Sequence, residues 1–185
     1  MKIELTDTVI RLQMLEAADA PVHLAGDDAL AQRYLSGGLS TLDTVSAWIE
    51  RCRLSWERGG PVRCLAIRTA ARDVLVGYIE ANLDHPAYRP GVANISYGLY
   101  PRARGHGYAT RAVRLILDDL RRRTAARAAV IQVEPANHAS LHVALRAGFR
   151  HLGERLTTDG KRLVVFALPL GPATGDLRLE DVRRE

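Results

Sequence analysis

The residues best suited to bind an anion form one short segment, Arg102-Ala103-Arg104-Gly105-His106-Gly107-Tyr108-Ala109-Thr110. It lies between a predicted strand and a predicted helix. Gly105 and Gly107 let the backbone approach a ligand closely, because glycine has no Cβ. Free N–H groups at a helix start favour a bound phosphate, and successive N–H groups in a turn form a concave anion site. Arg102 and Arg104 could add charge-assisted hydrogen bonds. The segment therefore predicts a diphosphate-binding loop.

A second interpretation of this segment stays open, because two glycines around one residue also suit a plain flexible turn. No Gly-Lys-Ser/Thr follows Gly107, which excludes a P-loop. A third glycine and a downstream acid at dinucleotide-binding spacing are also missing. The loop thus matches neither of the two commonest nucleotide fingerprints.

Apolar spacing predicts the elements that position this loop. The predicted strands are residues 9–12, 63–68, 74–83, 94–100, 129–133, 149–156 and 162–168, and the predicted helices are residues 16–25, 28–35, 41–56, 108–123 and 138–147. The order indicates an α/β fold with a central mixed, twisted β-sheet of about six to seven strands flanked by helices. A strand, a helix and a second strand over residues 94–133 favour a parallel pair with a right-handed crossover.

A family resemblance rests on two ordered motifs. Arg102-x-x-Gly105-x-Gly107, after Tyr97-Gly98-Leu99-Tyr100, resembles the acetyl-CoA loop of the GNAT N-acetyltransferase superfamily, whose pattern is Arg/Gln-x-x-Gly-x-Gly/Ala. Asn137-His138-Ala139-Ser140, followed by Gly148-Phe149, resembles the Asn-x-x-Ser…Gly-Phe segment of the subgroup that includes N-terminal acetyltransferases of ribosomal proteins. The resemblance follows the element order over residues 9–170 and is most specific over residues 93–149.

The resemblance implies a GNAT-like fold and transfer of an acetyl group from acetyl-CoA to a primary amine. The acceptor would be a small molecule or a peptide N-terminus, and no metal is implied. The residues implied to contact acetyl-CoA are Leu99, Tyr100, Arg102, Arg104, Gly105, His106, Gly107, Tyr108, Ala109, Thr110, Asn137 and Ser140.

Three residues carry the chemistry that the resemblance implies. The backbone N–H near Leu99 would face the thioester carbonyl as an oxyanion donor, although plain core packing also explains this leucine. Ser140 would hydrogen-bond or protonate the leaving thiolate, because Ala144 stands where many relatives carry a tyrosine acid. Asn137 would bind the pantetheine arm, and asparagine is equally suited to cap a helix.

The general base is not fixed by the sequence. Asn94 stands where many relatives carry a glutamate. Glu80 on the preceding strand is a candidate, acting directly or through a water, and a solvated strand carboxylate explains it equally well. Asp84 and His85 at the end of that strand are alternatives. Asp159 is better explained by the hairpin turn Asp159-Gly160. An amine of low pKa, or a chain of waters, would need no dedicated base.

Two other functions remain open at this level. The fold would be unchanged if the donor were a longer acyl-CoA. Alternatively, the chain is a non-catalytic module that binds acyl-CoA as a sensor. Asn94 and Ala144 favour this last interpretation, whereas Asn137 and Ser140 argue against it.

Length and composition bound the remaining possibilities. The chain has 185 residues, which predicts one domain over residues 1–170 and a charged, mobile tail over residues 171–185. Cys52 and Cys64 match no metal spacing and are expected to be reduced thiols. The sequence contains neither a run of about 18 apolar residues nor a signal-peptide pattern, so we expect no membrane span and a cytoplasmic location.

The net charge of +5 suits an anionic ligand. It does not by itself indicate nucleic-acid binding, because no interleaved aromatic and basic pattern or helix-turn-helix accompanies it. The acceptor and the oligomeric state stay open, with a homodimer as one option.

Overall fold

The computed structural model describes residues 4–36, 39–171 and 177–183. Contacts group the described residues into two compact units. The first unit lies within Met1–Glu80 and Tyr97–Leu115, and the second within Ala81–Ser96 and Ile116–Glu185. A single domain over residues 1–170 therefore stays a prediction, and each unit is described by itself.

The described strands form one mixed β-sheet with helices on its faces, as predicted. The strands are β1 (Glu4–Thr6), β2 (Ile10–Met14), β3 (Val62–Thr69), β4 (Leu75–Asn82), β5 (Val92–Leu99), β6 (Ala128–Val133), β7 (Arg150–Leu156) and β8 (Arg162–Pro169). The helices are α1 (Ala20–Gly26), α2 (Ala29–Ala31), α3 (Leu42–Glu57), α4 (Tyr108–Arg123), α5 (His138–Arg146) and α6 (Leu179–Val182). The strand order across the sheet is β1-β2-β3-β4-β5-β6-β8-β7.

The sheet has eight strands, so the predicted range of about six to seven was too low. The additional strand is β1, which pairs antiparallel with β2 and places Leu5 opposite Leu12. Only Leu5 is apolar in Glu4-Leu5-Thr6. Such a short segment carries no alternation that would distinguish it from a loop.

Helix α3 and strand β3 hold the core of the first unit. Thr41 caps α3 by accepting a hydrogen bond from the amide of Thr44 at 3.2 Å, as the sequence predicts. Ile49 and Cys52 of α3 are buried in one apolar cluster with Cys64 of β3. Both cysteines are free thiols, as expected.

The segment before α3 is less regular than the two helices predicted over residues 16–25 and 28–35. A 3-10 turn, Ala17–Asp19, precedes α1, where Pro21 occupies the first turn. Asp28 then caps the short helix α2, and a π-helical turn, Gln32–Ser36, follows. Proline and the capping carboxylate break the chain into these pieces.

In the second unit, β6 is buried on both faces, as its continuous apolar run predicts. The parallel ladder between β5 and β6 consists of the pairs Val92–Ala128, Ala93–Ala129 and Asn94–Val130. On its other edge β6 pairs antiparallel with β8 over its whole length, and β8 pairs with β7 as the predicted hairpin. Both strands of the parallel pair thus extend beyond the ladder that joins them.

Part of the tail predicted to be mobile packs on the second unit. Val182 is fully buried, and its carbonyl accepts a hydrogen bond from the amide of Arg89 at 2.9 Å. Leu177 and Leu179 pack on the same apolar cluster as Tyr88. In the sequence these few apolar residues are widely spaced among charged ones. Such a segment shows no apolar pattern, and it is therefore predicted to be mobile. The other parts of the tail, 172–176 and 184–185, lie outside the described residues. Among the described helices, none combines the length and apolar character needed to cross a bilayer.

Candidate active site

The predicted diphosphate loop connects the end of β5 to the start of α4. Tyr100 follows β5, and a 3-10 turn, Pro101–Ala103, leads into the extended Arg104. Gly105 and Gly107 both have positive φ, +81° and +77° respectively. A Cβ added at either position would meet no atom within 4 Å. Glycine is therefore required by the backbone conformation and not by crowding, and the space in front of both Cα atoms is open.

The loop leads directly into helix α4. The amide of Arg111 is the first that bonds back to Gly107, at 3.2 Å. The N–H groups of Tyr108, Ala109 and Thr110 precede it in the first turn, where helical amides have no partner within the helix. Together with the helix dipole they form a site suited to a negative charge.

The side chains of the loop take separate positions. Arg102 is exposed, whereas Ala109 is buried, so Ala109 can offer only its backbone to a ligand. His106 is exposed, stacks on Tyr108 at 5.5 Å between ring centroids, and donates from Nδ1 to the carbonyl of Arg104 at 2.8 Å. Tyr108 and Thr110 are half-buried.

Arg104 has partners within the chain, and its predicted contact with phosphate stays a prediction. Its Nη1 and Nη2 donate to the two carboxylate oxygens of Asp28, both at 2.7 Å, and its Nε donates to the carbonyl of Leu99 at 3.0 Å. Asp28 also accepts the amide hydrogen of Ala31 as the cap of α2. The hydrogen bond from Arg104 lowers the pKa of Asp28 to about 2. The guanidinium is thus committed within the first unit, where it braces the loop.

The backbone groups of Leu99 and Tyr100 point in different directions. The Tyr100 N–H donates to Val76 of β4 at 3.0 Å, and its carbonyl accepts from Ala103 at 2.8 Å. Both backbone groups of Tyr100 thus have partners within the chain, and its predicted contact with acetyl-CoA stays a prediction. Backbone groups alternate in direction along a strand, so the Leu99 N–H points away from β4. That direction suits the oxyanion role predicted for Leu99.

The side chain of Tyr100 belongs to an aromatic group of the first unit. His23 lies 4.7 Å from Trp48 and 5.3 Å from Tyr78 between ring centroids, and its Nδ1 lies 3.0 Å from the Tyr100 hydroxyl oxygen. A Cβ on Gly26 would lie 2.3 Å from the Tyr100 ring, so this glycine is required by a close approach. Burial lowers the pKa of His23 and raises that of Tyr100, so both groups are neutral near pH 7.

Glu80, one of the candidate bases, lies two residues beyond Tyr78 on β4. Residues two apart share a face of a strand, so Glu80 and Tyr78 point to the same side of the sheet. Glu80 is half-buried, and this burial raises the pKa of its carboxyl group. A raised pKa makes the carboxylate a stronger base, as a proton acceptor requires.

In the second unit, Asn137 and Ser140 meet at the start of α5. Asn137 Oδ1 accepts the amide hydrogen of Ser140 at 3.1 Å, so the capping interpretation of Asn137 is confirmed. This bond uses only the oxygen and leaves the Nδ2 amide for a ligand. Ala144 is fully buried, which shows that this position of α5 packs in the core. Gly148 has a φ of +93° and ends α5 as predicted.

The alternative bases have well-defined surroundings. Thr157 donates to the exposed Asp159, and the Gly160 N–H donates to the Thr157 carbonyl at 3.0 Å, so Asp159 belongs to a hairpin turn as expected. His85 Nδ1 accepts the amide hydrogen of Ala87 at 3.2 Å. In neutral histidine, Nε2 then carries the proton and cannot act as the base. Asp84 is exposed.

Sequence reasoning missed Asp28 and His23. Asp28 is recognisable as a helix cap, but its partner Arg104 is 76 positions away, and no local pattern links them. His23 had no signal, since a single histidine in an amphipathic helix indicates no partner. Among the described residues, no group of three or more His, Cys, Asp or Glu side chains is arranged to hold a metal ion.

Comparisons with known structures agree with this architecture. A RimL ribosomal alpha-N-protein acetyltransferase in complex with coenzyme A matches with a TM-score of 0.78 and 19% identity, over 90% of this chain and 98% of that chain. A microcin self-immunity acetyltransferase, MccE, in complex with acetyl-CoA and AMP matches with a TM-score of 0.74 and 17% identity, over 88% and 93%. An acetyltransferase from Agrobacterium tumefaciens matches with a TM-score of 0.72 and 23% identity, over 90% and 94%.

At these identities the structural matches establish the fold. No curated protein sequence matches the chain at a significant level. The family description "Acetyltransferase (GNAT) domain" matches residues 10–150, which include strands β2 to β6, the loop and helix α5 described above. The chain therefore belongs to the GNAT acetyltransferase domain family, as its two motifs indicated.

Proposed function

We propose that this protein transfers the acetyl group of acetyl-CoA directly to a primary amine of a small molecule or a peptide N-terminus. One observation carries the proposal: Gly105 and Gly107 hold positive φ angles in an open turn at the start of α4, inside the segment matched by the family. Such a turn offers backbone N–H groups to a diphosphate.

The loop would hold the diphosphate of coenzyme A through the amides of its glycines and of the first turn of α4. Arg102 is exposed at this loop and is the guanidinium available for a charge-assisted bond to phosphate. Arg104 would act indirectly, because its bonds to Asp28 and Leu99 hold the turn in shape. His106 would contribute by stacking on Tyr108 at the mouth of the loop.

The transfer step needs a polarised carbonyl and a protonated leaving group. The amine nitrogen forms a bond to the thioester carbonyl carbon, the carbon–sulfur bond breaks, the amine loses a proton and the thiolate gains one. The Leu99 N–H, which points away from β4, would stabilise the oxyanion. In the second unit, Asn137 would bind the pantetheine arm through Nδ2, and Ser140 would donate a hydrogen bond to the thiolate.

Glu80 would accept the proton of the amine, directly or through a water. Its raised pKa supports this role, because an ordinary surface glutamate is a weak base near neutral pH. Asp84 is exposed and Asp159 belongs to a hairpin turn, whereas Glu80 is half-buried, and this difference favours Glu80 among the candidate carboxylates.

The nature of the acceptor is supported only at the level of its class. The RimL and MccE structures belong to acetyltransferases named for a ribosomal protein and for microcin self-immunity. Both a peptide N-terminus and a smaller amine therefore belong in a first acceptor panel.

The test measures coenzyme A release and acetyl-CoA affinity on the same preparation. The panel contains amino acids, short peptides and aliphatic amines, with thiol release followed by a chromogenic disulfide and affinity by calorimetry. We expect micromolar binding and release that depends on one class of amine. Tight binding without release for any amine would favour the sensor interpretation, and release only with longer acyl-CoA donors would correct the donor. Absence of binding would refute the loop assignment.

A further inference from the structure

A half-buried arginine of the second unit has no carboxylate partner among the residues that the structure describes. Arg155 of β7 donates from Nη1 to the side-chain oxygen of Gln132 at 2.7 Å. Its neighbour in sequence, Glu154, pairs with Arg162. Among the described residues, no Asp or Glu forms an ion pair with Arg155. Partial burial of a cation costs free energy unless an anion compensates it, so the missing counter-charge needs an explanation.

The strand register brings Arg155 to Gln132 on one face of the sheet. Gln132 of β6 and Gly153 of β7 both align with Val165 of β8, which lies between them. Arg155 is two residues beyond Gly153 and therefore on the same face, so its side chain reaches across β8. The buried side chains of Tyr88, Val130 and Val165 form the apolar cluster beside it. An apolar surrounding strengthens electrostatic interactions at this position.

Hydrogen bonds fix which atoms remain available at this cluster. The Tyr88 hydroxyl donates to Gln132 Oε1 at 3.1 Å, and Arg155 donates to the same oxygen. Because both groups are donors, the atom that they share must be the oxygen of the Gln132 side-chain amide. The Nε2 atom of Gln132 therefore keeps two hydrogens to donate. Burial raises the pKa of Tyr88 to about 12, so its hydroxyl stays neutral beside the guanidinium.

His85 adds a third donor. Its Nδ1 accepts the amide hydrogen of Ala87, so the neutral ring carries its proton on Nε2. The His85 ring centroid lies 5.3 Å from that of Tyr88, whose hydroxyl bonds to Gln132. Burial, and then the charge of Arg155, lower the pKa of His85, which keeps the ring neutral. Arg155, Gln132 and His85 therefore present donors only, the pattern expected for an oxyanion site.

The same face carries an unpaired acceptor. Asn94 of β5 pairs with Val130 of β6, two residues before Gln132, at the last pair of the parallel ladder. Asn94 is 6% exposed, and its Oδ1 is buried without a hydrogen-bond partner among the described residues. Buried carbonyl oxygens are almost always paired in folded proteins, so Asn94 is suited to a donor group on a bound molecule.

We propose that Arg155, Gln132 and His85 form a subsite for an oxyanion, a carboxylate or a phosphate, carried by the amine acceptor. This inference rests on the proposed function and narrows its substrate class to amines that bear an anionic group. In the alternative, Arg155 only holds the loop between β4 and β5, which contains Tyr88, against β6. This alternative predicts no binding of anions and no preference among acceptors.

Binding is tested first without turnover. Sodium acetate and inorganic phosphate are titrated at constant ionic strength into the full chain, and the His85 ring signal is followed by NMR. That signal is assigned as the one lost in His85→Gln. We expect a saturable shift in the wild type that is lost in Arg155→Gln and kept in Arg162→Gln, the exposed arginine of the neighbouring strand. An unsaturable shift in the wild type, or an equal one in Arg155→Gln, overturns the proposal.

Kinetics then distinguish the two oxyanions. Glycylglycine is compared with its C-terminal carboxamide, and phosphoethanolamine with ethanolamine. In the wild type, we expect kcat/KM to be about tenfold higher for one anionic member, mainly through KM, as one charge-assisted hydrogen bond predicts. In Arg155→Gln the kcat/KM values of the two members of that pair should become equal. Equal values for both pairs in the wild type overturn the subsite.

The two proposals fail separately. Saturable anion binding without acetylation of any amine would refute the transfer reaction and leave the subsite standing. Acetylation with no anion binding would do the opposite. If Arg155→Gln does not fold, Arg155→Lys keeps the charge without the planar fork, and we expect it to retain part of the shift.

Discussion

The ion pair between Arg104 and Asp28 should stabilise the diphosphate loop by a measurable amount. The change is a double-mutant cycle with Asp28→Asn and Arg104→Gln. Asparagine keeps an oxygen that can accept the Ala31 amide hydrogen, so the cap of α2 is retained and the cycle isolates the charge pair. Both side chains lie in the first unit, and the structure gives two 2.7 Å bonds between them.

The magnitude follows from the Asp28 carboxyl group. Its pKa falls from 3.8 to about 2, and a difference of this size corresponds to about 2.4 kcal/mol. The side chains are 34% and 31% exposed, so solvent screening reduces the pairwise part to about 1 kcal/mol. The Arg121–Asp118 pair on α4 is the matched control, because it is more exposed, at 38% and 52%, and should couple by less than about 0.5 kcal/mol.

The assay is urea unfolding of the four proteins of the cycle. A depressed carboxyl pKa stabilises the folded state above the unfolded value and loses this effect as the pH falls through the folded value. The coupling should therefore be fully present at pH 7 and reduced by about half near pH 3. Arg104→Gln should also weaken acetyl-CoA binding about fivefold, since the turn and the Leu99 carbonyl lose their brace. A coupling no larger than that of the control pair would refute the bracing role.

Three further predictions concern the proposed reaction. Gly107→Trp should abolish acetyl-CoA binding measured by calorimetry, whereas Gly160→Trp, at a glycine with a similar positive φ and equally open space in the turn between β7 and β8, should leave the affinity unchanged; equal effects would show that the loop is not the binding site. Ser140→Ala should lower kcat about tenfold or more with little change in acetyl-CoA affinity, as loss of a proton donor predicts, and an unchanged kcat would remove its role as the acid. Glu80→Gln should abolish the acidic limb of the kcat/KM profile, which in the wild type should lie above the ordinary glutamate pKa of 4.5 because burial raises it; a profile that keeps its limb in the variant would exclude Glu80 as the base.

The parts of the fold that the sequence predicted well are those set by local patterns. Helix α4 runs from Tyr108 to Arg123 in both the prediction and the structure, because a glycine turn precedes it and an apolar stripe runs along it. The continuous apolar run of β6 and the Asp159-Gly160 turn are similarly local. Strand β1 and the packed part of the tail were missed, because their apolar residues gain partners only after distant segments have folded.

The candidate site likewise has one part that the sequence predicts, the loop, and one part that it does not, the acceptor site. A loop that binds through backbone amides needs glycines at fixed spacing, so its chemistry is visible in a short motif. The family follows from such motifs, and the family description matches the same residues. The acceptor is different, because side chains from several strands and loops would recognise it. No spacing rule relates His85, Gln132 and Arg155. The sheet order β6-β8-β7 brings Arg155 to Gln132, and Tyr88, which contacts both His85 and Gln132, brings His85 to them.

Two arginines show why residue type alone does not decide function. Arg104 lies inside the motif predicted to bind an anion, yet its charge is balanced by Asp28, and each of its three nitrogens donates a hydrogen bond within the chain. Arg155 lies in no motif, yet it is half-buried, bonds to a neutral amide and lacks a described carboxylate partner. An arginine whose charge is already balanced by a carboxylate can shape a site. An arginine that is partly desolvated and has no such partner is stabilised when an anion binds. The charge balance around each guanidinium therefore assigns bracing to the first and ligand recognition to the second.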